Sequence, residues 1–389
     1  METKVQSIKE SVKKRENELF DLACQIFDHP EIGGSEFFAA KLLTDYLEQN
    51  GFQVERGIAD LPTAFRATWE KGEGGPTIGF CVEYDALPEI GHGCGHHMQG
   101  PAGIGAALAL KELTEKPVRI VVYGTPDEEG LGGKVLMAEK GCFSEVDVMF
   151  AYHSSVNTRL SDGSRALAPV LVTFRGTPSH ASSSPHLGRS ALDAMMLAFH
   201  GLEIMREHVK DGCRIHYTIP EGTGAVNVVH PEAKARITLR SYDKHYLDEM
   251  KRRMENVVKG ACLMTDTTAE FKYLPEYWNY LPLEGLRVRL NQAAALCGAE
   301  NFSDQRQKSG GSSDVGNVSW VCPTAYFYVR YSDAKGHSPD YLIEGKSEAA
   351  KKSIRSASEI FALCALELLD HPEEMQTIRH QHNAAVEKK

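Results

Sequence analysis

The stretch TIGFCVEYDALPEIGHGCGHH, Thr77–His97, decides the fold, because it joins a short apolar run to a glycine-rich polar loop. The run TIGFCVEY is typical of a buried strand. Similar runs recur along the chain and are separated by helical stretches: AFRATW, VRIVVYGTP and VDVMFAYH. Strands that alternate with helices predict an α/β domain with a mixed sheet covered by helices.

The pattern of apolar and polar residues changes near Ala166, and the earlier pattern resumes after Leu281. Between them, short apolar runs and two long amphipathic stretches follow the order βαββαβ, which predicts a smaller α+β domain. We therefore expect an α/β domain formed by 1–165 and 281–389 and interrupted by an α+β domain at 166–280. The polar tail from His371 is expected to be frayed or to lie on the surface.

The composition excludes several classes of partner. A net charge of −10 over 389 residues would repel nucleic acids and anionic membranes. No run of eighteen apolar residues is present, and the N-terminus lacks the apolar stretch of a signal peptide. The nine cysteines form no CxxC pair, which suits a reducing compartment. We expect a cytoplasmic protein without a nucleic-acid or membrane partner.

The loop after the first buried run carries a dense group of potential metal ligands. Cys94 and His96 are two residues apart on a glycine-rich turn, so a thiolate and an imidazole can face one metal or a pair of metals. The alternative is a buried cysteine with a capping histidine. Three histidines and two acidic residues in this loop favour the metal, because buried unpaired polar groups are costly.

Three other strand ends add to this group. Glu128 and Glu129 follow VRIVVYGTP, and adjacent carboxylates repel unless a cation or a proton lies between them. His153 follows VDVMFAY, and His337 follows TAYFYV. Taken alone, the acidic pair is typical of a solvated turn and His337 of a surface residue. Their common position after strands favours one site at the carboxyl edge of the sheet.

The motifs EYDALPEIGHGCGHH, TPDEEG, AYH, GTPSHASSSPHLGRSALDA, GTGAVNVV, GGSSDVGNVSW and GHSPD occur in this order over nearly the whole chain. Together they resemble the aminoacylase-type metallopeptidases, which include aminoacylases, auxin-conjugate amidohydrolases and glutamate carboxypeptidase. The motifs are most similar to the branch of aminobenzoyl-glutamate hydrolase and Xaa-Arg dipeptidase.

The resemblance implies two divalent metal ions per chain, zinc or manganese. The metal ligands it implies are Cys94, His96, Glu129, His153 and His337. Glu128 is implied to be the general base, and Asp85 to orient a ligating histidine. The smaller domain becomes a lid and dimerisation domain. Its His180 is implied to polarise the scissile carbonyl, and the substrate-binding residues are Asn227, Arg240, Gly311 and Ser312.

The implied activity is hydrolysis of an amide bond in a small molecule with a free carboxylate. The possible substrates are N-acyl amino acids, aminobenzoyl-glutamate-like conjugates and dipeptides. The family resemblance also implies a homodimer through the lid. The sequence departs from many relatives at His97, where they carry Asp or Asn. His97 is either an additional pocket group or a hydrogen-bonded structural residue.

Two alternatives to a metallohydrolase stay open. Cys94 could be a nucleophile activated by His96 or His92, although Glu129, His153 and His337 would then have no role. The chain could also be a non-catalytic binding protein on the same fold. The glycine pattern GPAGIG is a weak indication of nucleotide binding.

Overall fold

The computed structural model describes residues 1–221 and 224–388, so the first two residues of the GTGAVNVV motif lie outside it. The chain forms two compact units. The first unit comprises Met1–Gly163, Tyr280–Ser309 and Asp314–Lys389. The second unit comprises Ser164–Asn279 and Gly310–Ser313.

A seven-stranded mixed sheet forms the centre of the first unit. Its strands are β1 Gln53–Arg56, β2 Phe65–Lys71, β3 Thr77–Val82, β4 Val118–Gly124, β5 Val148–Ser155, β6 Arg159–Leu160 and β11 Thr324–Arg330. They lie in the order β1-β2-β4-β3-β5-β11-β6. The central strands β4, β3, β5 and β11 are mutually parallel, and the outer pairs are antiparallel. The carboxyl ends of four strands therefore share one edge of the sheet.

Helices cover this sheet, as the sequence predicts. They are α1 Glu2–Asp28, α2 Phe37–Gln49, α3 Gln99–Leu113, α4 Gly133–Glu139, α7 Glu284–Cys297, α8 Val315–Val321, α9 Pro339–Ile343, α10 Glu348–Asp370 and α11 Pro372–Glu387. Every residue of α3 from Gln99 to Leu110 is buried, because α3 packs against strands of the sheet and against α1 and α10. A helix surrounded in this way needs no polar face, which explains its run of Gly, Ala and Leu.

Of the two expectations for the tail from His371, fraying is wrong, and a tail that lies on the surface agrees with the structure. Residues from Pro372 to Glu387 form α11, and Met375, Ile378 and His382 on this helix are buried. The helix contacts α7 and α10, and Nε2 of His382 lies 2.9 Å from the carbonyl oxygen of Ser319. Three buried positions among polar residues suffice to dock a short helix, although the average polarity of the tail conceals them.

The second unit has the predicted order of strands and helices. Its elements are β7 Ala166–Arg175, α5 Ala191–Glu207, β8 Arg214–Glu221, β9 Glu232–Ser241, α6 Lys244–Thr265 and β10 Thr268–Tyr273. The strands form an antiparallel sheet in the order β10-β7-β9-β8. Alternate strand residues such as Ile215 and Leu239 are buried in one core with α5 and α6. Both helices therefore cover the same face of this sheet.

Within the described parts of the chain, none of the helices combines the length and apolarity needed to cross a lipid bilayer.

Candidate metal centre

The loop between β3 and α3 turns sharply at Gly95, between the two nearest candidate ligands. Gly95 has φ +81°, and a β-carbon there would lie 2.3 Å from Oγ of Ser154. Only glycine meets both constraints. The turn allows the side chains of Cys94 and His96 to lie on the same side of the loop.

The first cluster consists of Cys94, His96 and His153, whose ligand atoms lie within 4.8 Å of one another. Sγ of Cys94 is 3.4 Å from Nε2 of His153. On the other side of its ring, Nδ1 of His153 is 2.8 Å from the carbonyl oxygen of Ser154 and donates to it. This hydrogen bond fixes the proton on Nδ1, so Nε2 presents a lone pair to the cluster.

Asp85 orients two parts of the centre at once. Its Oδ1 lies 2.8 Å from Nδ1 of His96, and its Oδ2 accepts the backbone N–H of Glu129 at 2.9 Å. The first contact holds a proton on Nδ1 of His96 and leaves Nε2 as the ligand atom. The second contact links the β3 loop to the β4 loop. Asp85 thus has the contacts expected of a residue that supports metal ligands.

The second cluster consists of Cys94, Glu129 and His337, with ligand atoms again within 4.8 Å of one another. Nε2 of His337 is 3.3 Å from Oε1 of Glu129. The backbone N–H of His337 donates to the carbonyl oxygen of Gly93 at 2.8 Å, and φ of His337 is +63°. A non-glycine residue in this region carries strain, which is typical of functional sites.

The donor atoms of the two clusters fit a pair of metal ions. Nε2 of His96 and Oε1 of Glu129 are buried and make no well-aligned hydrogen bond within the described residues; each lies beside an ionisable group instead, Glu83 at 3.2 Å and His337 at 3.3 Å. Buried polar atoms whose hydrogen bonds are not made are rare and costly unless something binds them. The clusters have Cys94 in common, so its sulfur is placed to be shared by two ions. The structure therefore brings together all five ligands implied by the sequence.

The ionisation of these groups reflects their burial and crowding. Burial raises the pKa of the Cys94 thiol well above its usual range. Burial alone would lower the pKa of His96, but Cys94, Asp85 and Glu83 raise it well above its usual range. For Glu129, burial is outweighed by His337 and His96, and its pKa falls to about 2. The carboxylates around His96 and His337 thus outnumber the histidines that could neutralise them.

Glu128 lies next to the clusters, with a carboxylate oxygen within 4.8 Å of ligand atoms of His96 and Glu129. Burial, followed by the carboxylates of Glu83 and Asp314, raises the pKa of Glu128 well above its usual range. A carboxylate with a raised pKa accepts a proton readily near neutral pH. The position and the environment of Glu128 both suit a general base.

A buried ion-pair network behind Glu128 was not predicted from the sequence. Nζ of Lys134 lies 2.7 Å from Oε1 of Glu83 and 2.7 Å from Oδ1 of Asp314, and the Lys134 side chain is fully buried. Oε2 of Glu83 is 3.2 Å from Nε2 of His96. The network therefore reaches one of the candidate ligands. Lys134 follows a glycine pair shortly after Glu129, which was the only sequence signal for it.

His97 has the contacts of a structural residue. Its Nε2 is 2.9 Å from the carbonyl oxygen of Gly345, and its ring meets the ring of Phe27 edge-on at 4.9 Å between centroids. Burial and the neighbouring His92 hold the pKa of His97 well below its usual range. These contacts favour the hydrogen-bonded structural interpretation over a pocket group.

The remaining candidate residues belong to the second unit: His180, Asn227, Arg240, Gly311 and Ser312. Nδ1 of His180 accepts the backbone N–H groups of Ser182 and Ser183 at 3.3 and 3.2 Å. The proton of a neutral His180 ring is therefore on Nε2, which can act as a donor. The Asn227 carbonyl accepts the Ala181 N–H at 2.8 Å, which joins the two motifs.

Arg240 and the 310–313 segment are joined within the second unit. Nη1 of Arg240 donates to Oγ of Ser312 at 2.9 Å. The carbonyl oxygen of Gly311 accepts the backbone N–H of Arg165 at 2.9 Å. Three of the candidate substrate-binding residues thus form one group.

Comparisons with known proteins extend over most of the chain. Residues 79–365 match the model of peptidase family M20/M25/M40. The chain is 33% identical to the Xaa-Arg dipeptidase of Homo sapiens over 393 residues, which cover 95% of this chain and 90% of that protein. It is 35% identical to one of the subunits of p-aminobenzoyl-glutamate hydrolase from Escherichia coli over 308 residues, 73% of this chain and 63% of that protein.

A solved structure shows the same fold. It is a dinuclear metal-binding peptidase of the M20 family from Bacillus subtilis, with a TM-score of 0.72 and 19% identity. The match covers 92% of this chain and 99% of that one.

Proposed function

Because the chain belongs to peptidase family M20/M25/M40, we propose that it is a metal-dependent amidohydrolase acting on a small molecule with a free carboxylate. The substrates in reach are N-acyl amino acids, aminobenzoyl-glutamate-like conjugates and dipeptides. One observation carries the proposal: two clusters of potential ligands have the Cys94 sulfur in common. Two metal ions that share a ligand and a water are a common device for hydrolysis.

The ligand set assigns each side chain to one of two positions. His96 and His153 would hold one ion, Glu129 and His337 the other, and Cys94 both. When bound, the ions would supply Lewis-acid chemistry, lowering the pKa of the attacking water and polarising the substrate carbonyl. The thiolate and imidazole donors favour zinc, and a carboxylate-rich site would favour manganese. We propose zinc, with manganese as the alternative.

Glu128 is proposed to accept the proton of the attacking water and to deliver it to the leaving nitrogen. The raised pKa of Glu128, caused by burial and then by Glu83 and Asp314, suits a group that must carry this proton between the two steps. Nε2–H of His180 would donate to the carbonyl oxygen as negative charge develops on it. Asn227, Arg240, Gly311 and Ser312 would bind the substrate.

The second unit is proposed to be the lid and dimerisation domain. β8 is an edge strand of its sheet, with Tyr217 and Ile219 exposed. Such an edge pairs readily with a copy of itself, which would give a homodimer. Sedimentation should give twice the chain mass, and a monomer at micromolar concentration would contradict this part of the proposal. A cytoplasmic location is proposed because nine cysteines are unpaired.

The test is amide hydrolysis before and after removal of metal. Purified protein is assayed with N-acyl amino acids, 4-aminobenzoyl-glutamate and dipeptides, then dialysed against a chelator and reassayed with added zinc or manganese. We expect chelation to abolish the activity and one of the metals to restore it. Full activity after chelation would instead indicate a Cys94 nucleophile, and no hydrolysis under any condition would indicate a binding protein.

A further inference from the structure

The face of the second unit's sheet that lies opposite α5 and α6 carries two arginines side by side. Arg214 on β8 and Arg240 on β9 are Cα partners in the antiparallel register. Side chains at partnered positions project from the same face of a sheet. Like charges placed directly opposite each other destabilise a sheet, so this pair is costly unless an anion lies between them.

Two further basic groups join this pair. His216 follows Arg214 by two residues and therefore projects from the same face, whereas the intervening Ile215 is buried in the core with α5 and α6. Arg165 immediately precedes β7, in which Leu167 pairs with Arg240. The Arg165 guanidinium lies 4.6 Å from the centre of the Tyr242 ring.

No carboxylate neutralises these arginines in the described part of the chain. Among the side chains that the structure describes, those of 1–220 and 224–388, Arg165, Arg214 and Arg240 form no ion pair. Arg165 donates to the carbonyl oxygen of Gly212 at 2.8 Å, a neutral acceptor. In contrast, Arg175 at the other end of β7 is paired with Glu232 and Glu270.

The electrostatic environment agrees with this geometry. Burial, followed by the charge of Arg165, lowers the pKa of Arg240. Burial lowers the pKa of His216 as well, and Arg240 is the largest charged contributor. This concentration of positive charge occurs in a protein with a net charge of −10. A local excess of this kind, without acidic partners, is suited to an anionic ligand.

We propose that Arg165, Arg214 and His216 form a second anion subsite next to Arg240, and that it binds the side-chain carboxylate of the amino acid released by hydrolysis. Arg240 would hold one carboxylate of this amino acid and the second subsite the other. The preferred substrates therefore carry glutamate or aspartate on the leaving side. A basic leaving residue would be repelled by the same groups.

This inference rests on the proposed function, and it separates the specificities that the names of the two relatives suggest. p-Aminobenzoyl-glutamate hydrolase takes its name from an acidic leaving group, and Xaa-Arg dipeptidase from a basic one. The subsite assigns this chain to the acidic class. Glutamine differs from glutamate only in the charge and hydrogen-bond donors of its side chain. A comparison of glutamate and glutamine substrates therefore measures the proposed contact between the side-chain carboxylate and the second subsite.

The experiment compares kcat/KM of the metal-loaded protein for 4-aminobenzoyl-glutamate, 4-aminobenzoyl-glutamine and an Xaa-Arg dipeptide. We expect glutamate to exceed glutamine by about 10- to 100-fold, as a hydrogen bond to a charged group permits. Arg214→Gln should remove this preference by lowering the glutamate value alone. Arg214 is exposed, so the variant should fold. Arg175→Gln, on the same sheet but already paired, is the matched control and should keep the wild-type ratio.

A second readout does not depend on turnover. Calorimetry should show free glutamate binding more tightly than free glutamine, and Arg214→Gln should abolish the difference. Equal rates and affinities for the two amino acids, or faster cleavage of the Xaa-Arg dipeptide, would overturn the subsite while the amidohydrolase proposal stands. Absence of cleavage of all three amides would count against the proposed function, and the binding data would still decide the subsite.

Discussion

Oδ1 of Asp85 lies 2.8 Å from Nδ1 of His96, and both side chains are fully shielded from solvent. The carboxylate fixes the ring orientation and keeps the lone pair on Nε2, the atom available to a metal. We predict that Asp85→Asn lowers metal affinity by about 10- to 100-fold, because an amide can present its N–H to Nδ1 and favour the wrong tautomer. Competition with a chromogenic chelator measures this affinity.

The control for this variant is Asp28→Asn, which removes a carboxylate paired with Lys346 on the surface. It should leave metal affinity unchanged. Equal affinities of Asp85→Asn and the wild type would show that Asp85 does not support the ligand.

The Glu128 carboxylate is predicted to be needed for turnover and dispensable for metal binding. Glu128→Gln should lower kcat by about 100- to 10,000-fold, since general-base catalysis contributes rates of this order. The variant should keep the wild-type number of ions per chain, because Glu128 belongs to neither of the clusters that contain Cys94. A variant with near-normal kcat, or one that has lost its ions, would show that Glu128 has another role.

The Lys134 ammonium is predicted to be essential for stability. Lys134→Met leaves Glu83 and Asp314 buried without their cation, and breaking a buried ion pair costs about 3–5 kcal/mol. Urea unfolding should show a loss of this size. Lys134→Met combined with Asp314→Asn should recover part of it, because one of the two unpaired buried charges has been removed.

Lys140→Met serves as the control for Lys134, since Lys140 pairs with Asp60 at the surface and contributes little. If Lys134→Met were as stable as this control, the buried network would have no energetic role.

Glu359 makes stability depend on pH. Burial raises its pKa to about 7, above the value of about 4.3 for an unfolded chain. The folded state then binds more protons than the unfolded state between these values. The contribution of Glu359 to the free energy of unfolding is therefore largest below a pH of about 4.3. It is lost as the pH rises through 7 and the buried carboxyl must ionise. Glu359→Gln should therefore increase the free energy of unfolding at pH 8 by about 2–4 kcal/mol.

The gain from Glu359→Gln should shrink as the pH is lowered towards 5, as unfolding at several pH values would show. A constant difference between Glu359→Gln and the wild type at all pH values would mean that Glu359 does not titrate in this range.

Much of the site could be predicted because parallel strands place their carboxyl ends at one edge. Cys94 and Glu129 follow β3 and β4, and His153 lies near the carboxyl end of β5 rather than after it as the sequence suggested. These three strands are adjacent in the sheet. His337 follows β11, which pairs in parallel with β5 although Thr324 lies 171 positions after His153. The apolar runs predicted the strands from local sequence alone. A potential ligand at or after the end of each run could then be assigned to the carboxyl edge of the sheet.

Other features depend on contacts that leave no periodic trace in the sequence. The Lys134 side chain meets Asp314, 180 positions away, and neither residue stands in a pattern that indicates the other. The opposed pair Arg214 and Arg240 depends on the register of β8 and β9, which the residue pattern of either strand alone does not reveal. The helix α11 is held by three buried residues in an otherwise polar segment.

The most direct test of the account is the number of metal ions per chain, determined by elemental analysis of the wild type, Cys94→Asp and Cys94→Ala. A bridging carboxylate can replace the shared thiolate, so we predict two ions in the wild type, two in Cys94→Asp with retained amide hydrolysis, and at most one in Cys94→Ala. A wild type without metal, or a Cys94→Ala variant that keeps both ions, would contradict a binuclear site in which Cys94 is a shared ligand.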